Sequence, residues 1–277
     1  LFRSTVFTQF SLSADGTLTY QTKPDKNRLN ADFRVEVYIT DNGLSTPPPN
    51  SNRSATQTFT IDVTPVNDEP SFSLTLSEVK VIEDAGNVGL PPGATVIPGF
   101  ATNIQRGPLT AVDEISQVLN PFEIVSMFGQ EKFSVLPAND NITGNLTFTT
   151  VAHANGTAVV VVRLTDQGAS APAPNDNTSL LQTFTISIAP INDAPQFTIP
   201  TTISVDEDAG LVSRSGFATD VRRGPVGSDD ENGQLINFVV NALTPGLFTT
   251  QPAIGVDGTL TFQTAPNVNS ANSQLLV

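Results

Sequence analysis

The chain has 277 residues, 27 acidic against 13 basic, for a formal net charge of −14, and is long enough for roughly two domains of about 100 to 150 residues. Such a surface repels phosphate backbones and anionic membranes, so nucleic acid is excluded as a partner. Cysteine is absent and His153 is the single histidine, which removes disulfides and thiolate zinc sites and leaves no zinc site on histidine alone.

In chain order, the first strand-like element is Gly16-Thr17-Leu18-Thr19-Tyr20. Phe33, Val35, Val37 and Ile39 then alternate with polar residues, the period-two pattern of a half-buried strand. A turn, Thr40-Asp41-Asn42-Gly43, and a loop rich in proline, serine and asparagine over 45–52 follow. Phe59, Ile61 and Val63 form a second alternating strand, leading into Pro65-Val66-Asn67-Asp68-Glu69-Pro70.

This six-residue segment returns 125 residues later as Pro190-Ile191-Asn192-Asp193-Ala194-Pro195, and each copy is followed by a polar residue and a phenylalanine, Phe72 or Phe197. The strand 57–63 recurs at the same offset as 182–188, and the turn as Thr165-Asp166-Gln167-Gly168. The first element reappears as Gly144-Asn145-Leu146-Thr147-Phe148 and Gly258-Thr259-Leu260-Thr261-Phe262. A tandem repeat follows. Its middle copy, 67–190, is complete; 1–66 is the later part of one copy and 191–277 the earlier part of another.

The stretch 158–164 is apolar on both faces at several positions, the mark of a central strand covered on both sides. Its apolar run is far shorter than the roughly 18 residues that cross a bilayer, so no membrane span is expected. No window of 11 or more residues carries a helical stripe. Many short strands separated by turn signals predict an all-β fold of tandem antiparallel β-sandwiches.

Nothing points to an enzyme, because no serine sits in a Gly-x-Ser-x-Gly elbow and no carboxylate pair stands beside a nucleophile. His153 reads as a solvated turn residue. Lys23, Lys26, Lys80 and Lys132 all stand in polar contexts, which argues against an internal isopeptide crosslink. Sequons at Asn52, Asn141, Asn145, Asn155 and Asn177 permit glycosylation.

The joints Asn67-Asp68-Glu69-Pro70-Ser71-Phe72 and Asn192-Asp193-Ala194-Pro195-Gln196-Phe197 resemble the inter-domain signature of cadherin repeats, shortened by one residue before the proline. The whole phrase, with its Phe-Ala-Thr and Gly-Pro elements, is most similar to cadherin-like or immunoglobulin-like tandem repeats of large bacterial surface proteins. By this resemblance Ile82-Glu83-Asp84-Ala85-Gly86 and Asp206-Glu207-Asp208-Ala209-Gly210 supply the glutamate that reaches a calcium cluster at the far end of its own domain, Glu83 with Asp84 and Glu207. Asp220 with Asp229, Asp230 and Glu231, and Asn103 with Asp113 and Glu114, look like the loop by which the next domain completes the cluster. Asp41 and Asp166 look like its final aspartate. The cadherin Leu-Asp-Arg-Glu element has no clear counterpart: Pro24-Asp25-Lys26-Asn27 and Ala152-His153-Ala154-Asn155 stand near its place, and Pro65 and Pro190 replace a leading aspartate. Fewer ions per joint than in vertebrate cadherins, one or two, are expected.

The chemistry agrees. Calcium takes about six to eight oxygen ligands in irregular geometry, and two carboxylates about 5 Å apart repel by roughly 3 kcal/mol at an effective dielectric near 20. A divalent cation turns that repulsion into a strut. Starting at Leu1, the chain reads either as an excerpt of a longer protein or as a subunit whose incomplete ends exchange strands head to tail, which propagates into a homopolymeric filament. The expected function is a calcium-stiffened extracellular fibre, stalk or cell-surface matrix element. The alternative is an adhesin or spacer presenting a binding or catalytic module, with a cell-surface or carbohydrate ligand.

Overall fold

The computed structural model describes residues 4–85 and 90–269. Its regular structure is eighteen short strands and four single 3-10 turns. The polar clusters between apolar stretches stop each strand after three to eight residues.

Residues 4–66 hold β1 (Phe7–Leu12) paired with β2 (Leu18–Thr22), and β3 (Arg34–Val37) paired with β4 (Gln57–Thr60). Val6, Phe7 and Phe33 are buried between them. The expected alternation of Phe33, Val35, Val37 and Ile39 ends early. Ile39 is 74% exposed, because β3 stops at Val37 and pairing beyond it shrinks to a single bridge, Thr40 to Arg53.

Residues 67–190 form the largest core. β5 (Ser71–Leu74), β6 (Glu78–Ile82), β7 (Ala94–Ile97), β8 (Ala101–Gln105), β9 (Glu123–Phe128), β10 (Phe133–Asn139), β11 (Leu146–Thr150), β12 (Gly156–Arg163) and β13 (Gln182–Ala189) follow in order. One sheet runs β6-β13-β12-β9; the facing layer comprises β10-β11-β7 and the pair β5-β8. Between them lie Phe100, Phe148, Phe184, Leu146, Val160 and Ile186, all essentially inaccessible. Phe100 meets Phe184 across the layers edge to face, 4.8 Å between ring centroids. β12 is central as the sequence predicts, but it is covered on one face only. Ala158, Val160 and Val162 are buried, whereas Val159 and Val161 on the opposite face are partly exposed.

β6 pairs with β13 in parallel, Glu78 opposite Thr185 through Ile82 opposite Ala189. Both strands therefore run in the same direction into the joint at Pro190, and Glu83 N–H still donates to Ala189 C=O at 3.0 Å. This pairing carries Glu83 to its place.

Residues 191–269 hold β14 (Gln196–Thr198), β15 (Val212–Arg214), β16 (Thr219–Arg222), β17 (Phe248–Ile254) and β18 (Leu260–Thr264). β14 pairs with β16, and β18 lies between β15 and β17 over Phe248, Leu260 and Phe262. The architecture is all-β, in antiparallel β-sandwich layers. Among the described residues no helix is long and apolar enough to cross a membrane.

Gly144 and Gly258 occupy equivalent left-handed turns (φ +70° and +78°), where a Cβ would stand 1.9 Å from the Ala101 carbonyl oxygen and 2.3 Å from that of Ala218. Gly16, in the matching sequence of the first segment, has φ +86° and open space around it. Gly16→Ala should therefore cost only the left-handed penalty, about 1–2 kcal/mol, and Gly144→Ala clearly more, read from denaturant midpoints by circular dichroism. Equal losses would show that the close approach to Ala101 does not fix the glycine.

Candidate metal centres at the two joints

At the first joint, Asn67 is buried and every polar group of its side chain is used. Its amide donates to Asp166 Oδ1 (3.2 Å) and to the Asp176 carbonyl, while its carbonyl oxygen accepts from Gln117. Asp68 N–H points to Glu114 Oε1 at 3.4 Å. The 3-10 turn Val112–Ser116 presents Asp113 to the preceding segment and turns Glu114 toward Asp68. There Asn27 and Asn30 donate to Asp113 (2.8 and 3.3 Å), and Thr110 donates to Asp25. Two glycines permit the approach. A Cβ on Gly168, the last residue of the Thr-Asp-x-Gly turn, would lie 1.8 Å from the Asn67 carbonyl oxygen, and one on Gly107 would press on Asp68 and Glu114 at 3.2 Å.

The second joint repeats this geometry. Asp193 N–H donates to Glu231 Oε1 at 2.8 Å, Gln234 donates to the Asn192 carbonyl oxygen at 2.8 Å, and Gly224 backs Glu231 as Gly107 backs Glu114. Here the glutamate from the middle segment is present too. Glu83 is fully buried; its Oε1 accepts from Ile191 N–H (2.6 Å) and its Oε2 from Asn155 (3.2 Å). Asn155 also donates to Asp230 of the turn Asp229–Gly233 at 2.8 Å. Asp84 Oδ1 accepts His153 N–H at 2.8 Å, and His153 Nδ1 lies 2.8 Å from Asp84 Oδ2 and 2.9 Å from Asp193 Oδ2.

The electrostatics are those of anions held together without counter-charge. Burial, with the Asp113, Asp68 and Asp166 carboxylates nearby, pushes Glu114 up to about 7 despite the Asp68 N–H it accepts. Burial also raises Asp68, reinforced by Asp25 and Asp113. It raises Asp166 as well, with Asp176 adding to the effect and the bonds from Gly168 and Asn67 opposing it. Glu114 Oε2, Asp166 Oδ2 and Glu231 Oε2 are buried with no hydrogen-bond partner among the described residues. None of Glu83, Glu114, Asp68, Asp113, Asp166, Asp230 or Glu231 has a lysine or arginine within 4.0 Å there. An oxygen-rich donor set with orphaned carboxylate oxygens fits a hard divalent cation.

The other candidates stand elsewhere. Asp41 sits in an exposed turn, closing only onto Gly43 N–H at 2.8 Å. Asn103 and Asp220 lie exposed on β8 and β16 with φ +51° and +50°, and Asp220 faces Arg222 at 3.6 Å. Recurrence of Asn or Asp at that position has a backbone reason, since these residues tolerate the left-handed region. Glu207 accepts from Asn269 at 2.7 Å, and Asp208 Oδ1 accepts Asn267 N–H at 3.0 Å, the arrangement of Glu83 with Asn155 and of Asp84 with His153. Asp229 is exposed beside Asn232.

Sequence reasoning set Asp25, Asn27, His153 and Asn155 near the place of the missing Leu-Asp-Arg-Glu element but gave none of them a role at the joints. His153, expected to be a solvated turn residue, is 21% exposed at its side chain and stands between two carboxylates. A usable signal existed. Asn27, Asn155 and Asn269 each follow the glycine of the Gly-x-Leu-Thr-aromatic element, Gly16, Gly144 and Gly258, by eleven residues.

No protein-family model and no curated protein matches the chain. Solved structures similar to it include mouse cadherin-23 EC22-24 (18% identity, TM-score 0.46, covering 95% of this chain and 73% of that one). Drosophila N-cadherin EC1-4 (14%, 0.38, 94% and 57%) and mouse clustered PcdhgC3 EC1-3 (14%, 0.33, 93% and 75%) are also similar.

A carboxyl raised from 4.5 to about 7 binds its proton more tightly folded than unfolded. Its favourable contribution is complete below about pH 4.5 and is lost as pH climbs through about 7, at about 1.4 kcal/mol per pKa unit. Metal-free protein should therefore melt lower at pH 8 than at pH 5, the change being on the order of 2–3 kcal/mol for this group, and Glu114→Gln should flatten the profile. A Glu114→Gln profile as steep as the parent's would exclude Glu114 as the source.

Proposed function

We propose that the two joints bind calcium, and that the chain is a structural or adhesive extracellular protein whose serial β-sandwiches are stiffened by the bound ions. The observation that carries this reading is the set of buried carboxylate oxygens without partners, Glu114 Oε2, Asp166 Oδ2 and Glu231 Oε2, at the two places where successive segments meet. Orphaned buried anions destabilise a fold unless something absent from the polypeptide neutralises them.

Calcium matches the donors in hardness and tolerates their irregular arrangement. Asp25, Asp68, Asp113, Glu114 and Asp166 would hold it at the first joint, and Glu83, Asp193, Asp230 and Glu231 at the second. Each set draws on both sides of a joint, so a bound ion resists bending as well as unfolding. Domains spanning 67–190, with neighbours before and after, are the corresponding units. A fibre, stalk or matrix element is the first reading; spacer repeats that present an adhesive module are the second, favoured by the long polar loops at 45–52 and 169–177.

Saturating calcium, at 100 times its dissociation constant, should stabilise each binding unit by about 2.7 kcal/mol over chelated protein, visible in calorimetric melts. Small-angle X-ray scattering should give a longer, narrower particle with calcium. Glu231→Gln should remove most of the gain at the second joint and leave the first. Identical melts and dimensions with and without chelator would overturn the calcium reading.

A further inference from the structure

The two joints share the scaffold of one turn, and at one position of it the side chain differs in kind. At the position one left-handed residue before the bridging asparagine's neighbour, the chain carries Asp25 (φ +56°), His153 (φ +59°) and Asn267 (φ +57°) in its three segments. In the last two, the backbone N–H is tied to an aspartate, Asp84 Oδ1 at 2.8 Å and Asp208 Oδ1 at 3.0 Å. The turn is thus fixed by the main chain, and the side chain it projects is free to vary: a carboxylate, an imidazole or a carboxamide.

Only the imidazole adds a nitrogen ligand. His153 Nδ1 and one carboxylate oxygen from each of Asp84 and Asp193 lie within 4.8 Å of one another. The supporting contacts leave these atoms oriented: Asp84 is held through its other oxygen by His153 N–H, and Asp193 is held by its own N–H on Glu231 and by Ser228 Oγ at 2.9 Å. Such outer contacts set the direction of metal ligands. His153 Nδ1 is buried without a satisfactory hydrogen bond, and Glu231, 1% exposed and bonded to the same Asp193, keeps Oε2 unpartnered. Ligand atoms around a tetrahedral ion with bonds of about 2.0–2.1 Å stand roughly 3.3 Å apart. The two edges from His153 Nδ1, 2.8 and 2.9 Å, would open by about half an ångström to accept one, while the two carboxylate oxygens already lie within 4.8 Å of each other.

Resting on the reading that the joints bind divalent cations, we infer that the second joint holds a borderline transition ion of the zinc, cobalt or nickel class on His153, Asp84 and Asp193, beside oxygen ligands that take calcium. Imidazole nitrogen with carboxylate suits these ions, whereas calcium gains little from nitrogen. The first joint, with Asp25 in the equivalent place, remains an oxygen-only site. The chain then carries two joints of different metal preference.

Isothermal titration of the full chain with zinc chloride, in excess calcium and at about pH 7.5 where an ordinary imidazole is neutral, should give one saturable site. His153→Asp and His153→Asn install residues that the same turn already carries elsewhere in this chain, so both should fold. Each should weaken zinc binding by on the order of tenfold or more while leaving the calcium-dependent rise in melting temperature in place. Cobalt loading should give a visible spectrum that changes on His153→Asp. Zinc binding that is absent, or unchanged in both variants, overturns the inference. Loss of the calcium effect in the parent chain would instead overturn the reading beneath it, and the two failures appear in separate titrations.

Discussion

Charge left unpaired inside the joints is the constraint on which the rest of the structure depends. Among the described residues, Arg28, Arg34, Lys80, Lys132, Arg163 and Arg222 pair with Asp62, Asp32, Glu78, Glu131, Glu123 and Asp220 away from the joints, while the buried carboxylates Glu83, Glu114, Asp166 and Glu231 stand where segments meet. The local architecture serves that convergence. Parallel pairing of β6 with β13 delivers Glu83, the 3-10 turns Val112–Ser116 and Asp229–Gly233 deliver the acidic pairs, and Gly107, Gly168 and Gly224 clear the space into which side chains close.

The cores show a different economy. Phenylalanine recurs in all three cores, partly in edge-to-face pairs such as Phe72 with Phe122 and Phe133 with Phe148. Removing one such ring costs on the order of 3–5 kcal/mol in general, a large share of the roughly 5–15 kcal/mol by which a domain is stable.

Much of this was legible from the amino acids. Period-two apolar patterns located β3, β4 and β13, a run apolar on both faces located β12, self-comparison singled out Asn67 and Asp193, and the family resemblance singled out Glu114 and Glu231. The sequence was less informative where a side chain recurs for conformational reasons. Asn103 and Asp220 return because they accept positive φ, not because they share a partner. It was least informative where one scaffold hosts different chemistry: Asp25, His153 and Asn267 share no residue type, so no motif joins them, and only the common φ and the asparagine two residues on reveal the equivalence. The outer face of β12, expected to be covered, is half-exposed, since an apolar valine on such a face looks the same in sequence as one in a second core.

Asn155 has a consequence for how a joint gives way. Its amide reaches Glu83 of the middle segment and Asp230 of the next at once, as Asn27 reaches across to Asp113 at the first joint. These carboxamides are neutral donors, so the bonds they make across each joint need no counter-charge of their own, and separating the two segments must break them first.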